Sequence, residues 1–202
     1  DTGLHVQTHG VRTNGVRLPD IPSIYGLLGG AAYQAPKEHP SAATDEYLRW
    51  IAGLGYTDVA GPIIGDRNKA AIIPMPYRFE VGRAGLSSDH SLDAFTIQEA
   101  IRQVRRQKQP FAMWIRLHGS HDPYVVPAPW DTLYRASDLP MPPYRPGEYE
   151  TKPARAKRAW QAQGADQLSD EQIRTILAHY YGMVSYADHL VGKFLMALHS
   201  AG

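Results

Sequence analysis

The longest amphipathic pattern in the chain lies near its end. Residues Ser169 to Gln172 form a capping-box sequence, in which a serine hydroxyl and a glutamine side chain bind the first free N–H groups of a helix. After this box, apolar residues recur at steps of three and four: Ile173, Ile176, Leu177, Tyr180, Val184, Leu190, Val191, Phe194, Leu195 and Leu198. This spacing predicts one long helix whose apolar face packs against a sheet.

Three shorter segments also show the start signals and the spacing of helices. One spans residues 20–30 and has a proline in its first turn. A second runs from Asp45 to Leu54, and a third begins at Ser91 and continues to Val104. The third helix leads directly into the next apolar run, so the two together predict half of a βαβ unit.

The apolar run Phe111–Leu117 predicts a buried strand. Its nearly continuous apolar residues are typical of a parallel strand that is covered on both faces. Pro110 precedes the run, and Gly119 and Pro123 follow it, which marks its two ends. Helical patterns that alternate with strands, without a repeat at solenoid periods, predict an α/β fold.

Two segments show neither a helical nor a strand period. Residues 55–89 are rich in Gly and Pro, and we expect an irregular insertion or a substrate-facing loop there. Residues 123–153 contain eight prolines, which predicts a connection that crosses the surface or contributes to a substrate site. The length of 202 residues suits one domain or most of one.

Polar side chains follow the predicted strand at the place where open parallel sheets bind ligands. His118, His121 and Asp122 lie just beyond its carboxyl end. Imidazole groups exchange protons near neutral pH, so these residues are candidates for acid–base chemistry. The alternative is that the two histidines only cap the strand and hydrogen-bond locally.

Charge and composition exclude several functional classes. The formal net charge is +1, from 21 basic and 20 acidic residues, so no long-range field favours nucleic acid or a membrane surface. The locally basic run 102–108 is expected to be the solvated face of a helix. The absence of cysteine excludes disulfides and thiolate metal sites within these residues. No stretch reaches the roughly 18 to 20 apolar residues of a membrane span, and the compartment is left open.

Several separated stretches resemble the sulfatase family of the alkaline-phosphatase superfamily. In that family a buried strand ends in a Pro-His-x-Pro-like turn, followed by a Pro-rich segment and by a helix reading Tyr-Tyr-Gly-x-Val-Ser-Tyr-x-Asp. The corresponding stretches here are Ser120–Tyr124, Pro127–Pro153 and Tyr180–Asp188, in the same order and spacing. Near the start, Thr2–Leu4 and Thr8–Gly15 are similar to the segment that follows the family's nucleophile signature.

The resemblance implies an alkaline-phosphatase-like, mixed and mostly parallel sheet flanked by helices, of which this chain would be the central part. Such enzymes attack with a formylglycine made from Cys or Ser in a Cys/Ser-x-Pro/Ala-x-Arg signature, which by analogy would stand about eight residues before Asp1. The metal ligands, an acidic pair and a later Asp/Asn-His pair, would fall beyond both ends of the chain. The implied cofactor is a divalent cation, with calcium as the expected ion, and the 202 residues alone would be inactive.

The resemblance also implies roles for individual residues. His121 would contact a sulfate oxygen or protonate the leaving alcohol. Asn14 stands where related hydrolases place a substrate-contacting amide, although Asn14-Gly15 is also a common turn dipeptide. Lys37 and His39 match the Lys-x-His pair that grips sulfate in the family. The preceding stretch is shorter than the family pattern, so this pair either works in a locally rebuilt site or belongs to an ordinary loop.

These features predict a hydrolase that cleaves the sulfate monoester of a small molecule or glycan with a formylglycine nucleophile and a metal. A phosphonate monoester or phosphodiester hydrolase of the same superfamily is one alternative, because it uses similar residues on a different anion. Another alternative is a non-catalytic homologue that only binds anionic ligands or a partner. Neither a nucleic-acid partner nor a membrane span is predicted, and the oligomeric state is left open.

Overall fold

Helices and short strands follow one another along the chain in the manner of an α/β fold. A computed structural model of the protein describes residues 5–9, 32–35, 45–56, 71–73, 79–107, 110–143, 145 and 147–201. The helix predicted for residues 20–30 lies outside the described residues, as do Asn14, Lys37 and His39.

The described residues contain five α-helices and five strands, joined by turns and short 3-10 segments. The helices are α1 (Val6–His9), α2 (Asp45–Gly53), α3 (Leu92–Arg106), α4 (Ala154–Ala162) and α5 (Asp170–Ser200). The strands are β1 (Ala32–Ala35), β2 (Ala71–Ile73), β3 (Val81–Arg83), β4 (Ala112–Ile115) and β5 (Tyr124–Val126). The predictions of α2, α3 and α5 are confirmed, whereas α4 was not predicted.

The two long helices begin where their capping residues predict. The Ser91 hydroxyl accepts a hydrogen bond from the Ala94 N–H at 3.0 Å, which starts α3. Ser169 and Gln172 form the complete capping box at the start of α5, as their spacing predicts. Local side-chain chemistry therefore sets both helix starts.

The described strands form two sheets, and each sheet contains one parallel pair. β1 pairs with β4 in parallel, with Ala32 opposite Ala112. β3 pairs in parallel with β5 and antiparallel with β2, which gives a second sheet in the order β2-β3-β5. The α/β class with parallel strands is confirmed.

Strand β4 lies where the apolar run predicts it, but it is less buried than expected. Trp114 exposes 49% of its surface, and along β4 exposed residues alternate with half-buried ones. Coverage of both faces, as predicted from the sequence, is therefore not found in the described structure. A short apolar run fits a strand buried on one face as well as on two, because side chains alternate between faces whatever their type.

Short strands also occur in the two segments predicted to be irregular. Residues 55–89 contain β2 and β3, and residues 123–153 contain β5 and three 3-10 turns. Each of these strands has three residues, which is too short for a period of two to stand out from the sequence. β5 takes its hydrogen bonds from β3, which lies 43 positions earlier in the chain, whereas β2 and β3 pair across only 8 to 12 positions.

Helix α3 lies between two hydrophobic clusters and so connects the parts of the fold. One cluster joins α3 to α5 and β5: Ala94, Ile97, Val126, Met183, Tyr186 and Leu190. The other joins α3 to α2: Tyr47, Ile51, Leu86, Leu92 and Phe95. This packing fixes the start of α3 beside the loop that follows β4. Among the helices described, none is long and apolar enough to cross a membrane.

Candidate active site after strand β4

Hydrogen bonds donated by its backbone N–H groups hold the loop that follows β4 in place. The N–H of His118 donates to Oδ1 of Asp93 at 2.7 Å, and the N–H of Gly119 donates to Oδ2 of the same carboxylate at 2.8 Å. Two residues further on, the N–H of His121 donates to the His118 carbonyl at 3.2 Å and closes a turn. Gly119 has a φ of 49°, in the left-handed region that favours glycine.

Asp93 is a buried carboxylic acid in the first turn of α3. It exposes 8% of its surface. Burial raises the pKa of the Asp93 carboxyl, and the two backbone hydrogen bonds from His118 and Gly119 oppose that rise. The start of a helix favours negative charge, because the free N–H groups there carry partial positive charge. Asp93 thus ties the start of α3 to the loop after β4.

His121 lies at the surface of this loop with its ring turned toward Asp122. Its side chain is 66% exposed, and Nδ1 lies 2.6 Å from the Asp122 carbonyl oxygen and 3.1 Å from the Asp122 carboxylate. A carbonyl oxygen can only accept, so Nδ1 carries the hydrogen and Nε2 is the nitrogen that can meet a substrate. The ring of His118 lies 4.9 Å from that of His121, centroid to centroid.

A small cavity of about 50 Å³ lies behind the loop. Its lining includes the polar residues Ser91, Asp93, His118 and Tyr186, together with apolar residues of β5 and α5. A cavity of about 10 to 15 Å³ in this measure of volume is enough to hold one water molecule. The cavity can therefore hold a water molecule.

Two residues of the Tyr180–Asp188 stretch are needed for packing. Tyr186 is buried, its hydroxyl lies 2.6 Å from the Ser91 hydroxyl, and it donates to the Ser88 carbonyl. Burial raises the pKa of Tyr186, so the phenol stays protonated. At Gly182 an added Cβ would collide with the carbonyl oxygen of Trp130.

Of the predicted site residues, the structure brings His118, His121 and Asp122 together at the end of β4. Asn14, Lys37 and His39 lie outside the described residues. Asp93 was not predicted as a site residue, because an acidic residue in the first turn of a helix is an ordinary start signal. Within the described ranges there is no group of three or more His, Cys, Asp or Glu placed to hold a metal ion.

Comparison with known proteins identifies the family. Residues 25–202 match the family model described as Sulfatase. An arylsulfatase of Clostridium perfringens (strain 13 / Type A) is 26% identical over 111 residues, which are 54% of this chain and 23% of that protein.

Two solved structures share the fold over the whole chain. They are the phosphonate monoester hydrolases of Agrobacterium radiobacter (TM-score 0.75, 20% identity) and of Silicibacter pomeroyi (TM-score 0.68, 22% identity). The chain covers 48% of each of these structures, so it spans about half of their length. The fold is that of alkaline-phosphatase-like hydrolases, and the match over residues 25–202 shows that the chain belongs to the sulfatase family.

Proposed function

We propose that the protein containing these residues is a sulfatase-type hydrolase that cleaves a sulfate monoester. The observation that carries the proposal is the sulfatase family match, which runs through the β4 loop and His121. The nucleophile is a formylglycine and the cofactor a divalent cation, with calcium as the expected ion. Both belong to parts of the parent protein outside these 202 residues.

His121 is the proposed catalytic residue of this chain. Asp122 accepts from Nδ1 and so presents Nε2 to the exposed side of the loop. There, the protonated ring carries a hydrogen on both nitrogens. Its Nε2–H donates to a sulfate oxygen or is transferred to the departing alkoxide, which leaves as a neutral alcohol while the ring becomes neutral imidazole. Asn14, Lys37 and His39 are the proposed substrate-binding residues.

A divalent cation would neutralise the charge of the sulfate oxygens during attack. The described residues do not fit such an ion, because no cluster of three acidic or histidine side chains is present among them. We therefore assign no residue of the described structure to the metal. His121 acts here only as a proton donor or as a contact to the substrate.

A second candidate is hydrolysis of a phosphonate monoester or phosphodiester. Two phosphonate monoester hydrolases share the fold over all of this chain, with TM-scores of 0.75 and 0.68. Sulfate monoesters and phosphonate monoesters each carry one negative charge, so the same hydrogen-bond donors can bind either anion. The sulfatase family match favours the sulfate ester.

The test compares an aryl sulfate with an aryl phenylphosphonate as substrates of the complete parent protein. We expect a higher kcat/KM for the sulfate, and the reverse order would establish the second candidate. If neither ester nor a phosphate diester is hydrolysed while the anions still bind, the protein is a non-catalytic homologue. A preparation that carries His121→Ala controls for contaminating hydrolases, because its activity must fall with the substitution.

A further inference from the structure

We propose that Asp93 is a positioning residue that sets the place of His121 by fixing the backbone of its loop. The proposal rests on the proposed function, in which His121 meets the substrate. Asp93 itself lies behind the loop, is buried, and does not face the exposed side. It therefore acts through the loop and not on the ester.

The Asp93 carboxyl group contacts the loop at two separate backbone N–H groups. Each carboxylate oxygen accepts one backbone N–H, at 2.7 Å from His118 and at 2.8 Å from Gly119. Two adjacent N–H groups bound to one rigid, planar group fix both the position and the orientation of the peptide between them.

His121 depends on that backbone because its own side chain has few contacts. The ring is mostly exposed, and in the described structure it contacts Asp122 and the ring of His118, both within the same loop. The N–H of His121 is bound to the carbonyl of His118, the residue that Asp93 holds. At the far end of the loop, the N–H of Tyr124 donates to the Glu80 carbonyl at 2.8 Å. The loop is thus anchored on both sides of His121.

The substitution Asp93→Asn separates positioning from simple packing. Asparagine keeps the size of the side chain but offers one acceptor oxygen, and its NH₂ group faces an N–H that has then lost its partner. Thr96→Val is the matched control. Thr96 is buried on the same helix, and its hydroxyl donates to the Leu92 carbonyl, away from the loop.

The first measurement needs no turnover. In the complete protein, hydrogen exchange of the peptide that contains residues 118–121 should accelerate about tenfold in Asp93→Asn and stay unchanged in Thr96→Val. The ¹⁵N signal of the His121 ring, identified by its loss in His121→Ala, should shift only in Asp93→Asn. An unshifted ring signal in Asp93→Asn overturns the proposal, whatever the protein hydrolyses.

The second measurement is a double-mutant cycle on kcat, run well below the unfolding temperature of each variant. Asp93→Asn should lower kcat about tenfold with little change in KM, less than the hundredfold that a displacement of 1 Å can cause. In the His121→Ala background, the same substitution should change kcat by less than about twofold. Equal losses in both backgrounds would show that Asp93 does not act through His121.

The two measurements distinguish failure of this proposal from failure of the proposed function. If His121→Ala retains full turnover, or if no ester is hydrolysed, the role proposed for His121 is wrong. The exchange rate and the ring signal then decide alone whether Asp93 holds the loop. If both change in Asp93→Asn while kcat stays at the wild-type value, the loop is clamped but its position is irrelevant to turnover, and the proposal fails.

Discussion

The loop after β4 and the middle of α5 carry the family resemblance equally, but their side chains have different surroundings. In the loop, His121 is mostly exposed and contacts only neighbouring residues. In α5, Gly182 and Tyr186 are buried against Trp130 and the start of α3. A resemblance therefore marks positions that matter without saying why, and burial separates a group that can meet a substrate from groups that hold the fold.

Removal of the His121 imidazole should lower the activity of the protein without lowering its stability. In the complete protein we expect His121→Ala to lower kcat/KM at least about a hundredfold, the lower range for loss of a general acid. The free energy of unfolding should change by less than about 0.5 kcal/mol, because the side chain is exposed. Steady-state kinetics and urea unfolding of the same preparation give both values. Wild-type turnover in this variant would show that the exposed His121 side chain is not needed for activity.

The middle of α5 should show the opposite behaviour. Gly182→Ala places a methyl group against the Trp130 carbonyl oxygen, and we expect it to lower the free energy of unfolding by about 2 kcal/mol. Gly192→Ala is the control on the same helix, since nothing lies within 4 Å of its added Cβ. That variant should gain about 0.5 to 1 kcal/mol, because alanine favours the helix. Urea unfolding compares the two, and equal stabilities would show that Gly182 is not a packing requirement.

The exposed ion pair between Lys193 of α5 and Asp89 should contribute little to the stability of the fold. Lys193 lies 2.8 Å from Asp89, with side chains 39% and 64% exposed, so Lys193→Met should cost less than about 0.5 kcal/mol at neutral pH. The hydrogen bond from Lys193 lowers the pKa of Asp89. The contribution is therefore present above the unfolded-state pKa of about 3.9 and is lost as pH falls through the lower folded-state value.

Urea unfolding of the wild type and of Lys193→Met across this acidic range checks that prediction. The difference between the two proteins should shrink as pH falls, and it should also shrink in 1 M salt at neutral pH, since salt screens exposed charges. A difference that grows on acidification would contradict the assigned sign.

The features that the sequence predicts well are local in the chain. The starts of α3 and α5 follow from the hydroxyls of Ser91 and Ser169, which bind N–H groups three residues away. The position of His121 after β4 follows equally from chain order. Its prediction as a site residue rests on the strand that precedes it and on the resemblance, both of which can be read along the sequence.

The features that the sequence does not predict are contacts between distant positions. Strand β5 has three residues and pairs with β3 across 43 positions. Strands β2 and β3 pair across only 8 to 12 positions, but with three residues each they are too short for a strand period to show. The exposure of Trp114 depends on what packs against β4, not on the apolar run that contains it. Asp93 meets the loop across 25 positions, and in sequence it is indistinguishable from any acidic residue at a helix start.

The parallel pairing of β1 with β4 makes folding depend on a distant encounter. Ala32 lies opposite Ala112, so a loop of about 80 residues must close before these strands gain their hydrogen bonds. Helix α3 and β4 are neighbours in sequence and can assemble early, whereas β1 joins them at a high cost in chain entropy, which slows folding. Until it does, the backbone groups of β4 on that side can pair with strands of other molecules, so aggregation competes with this step of folding.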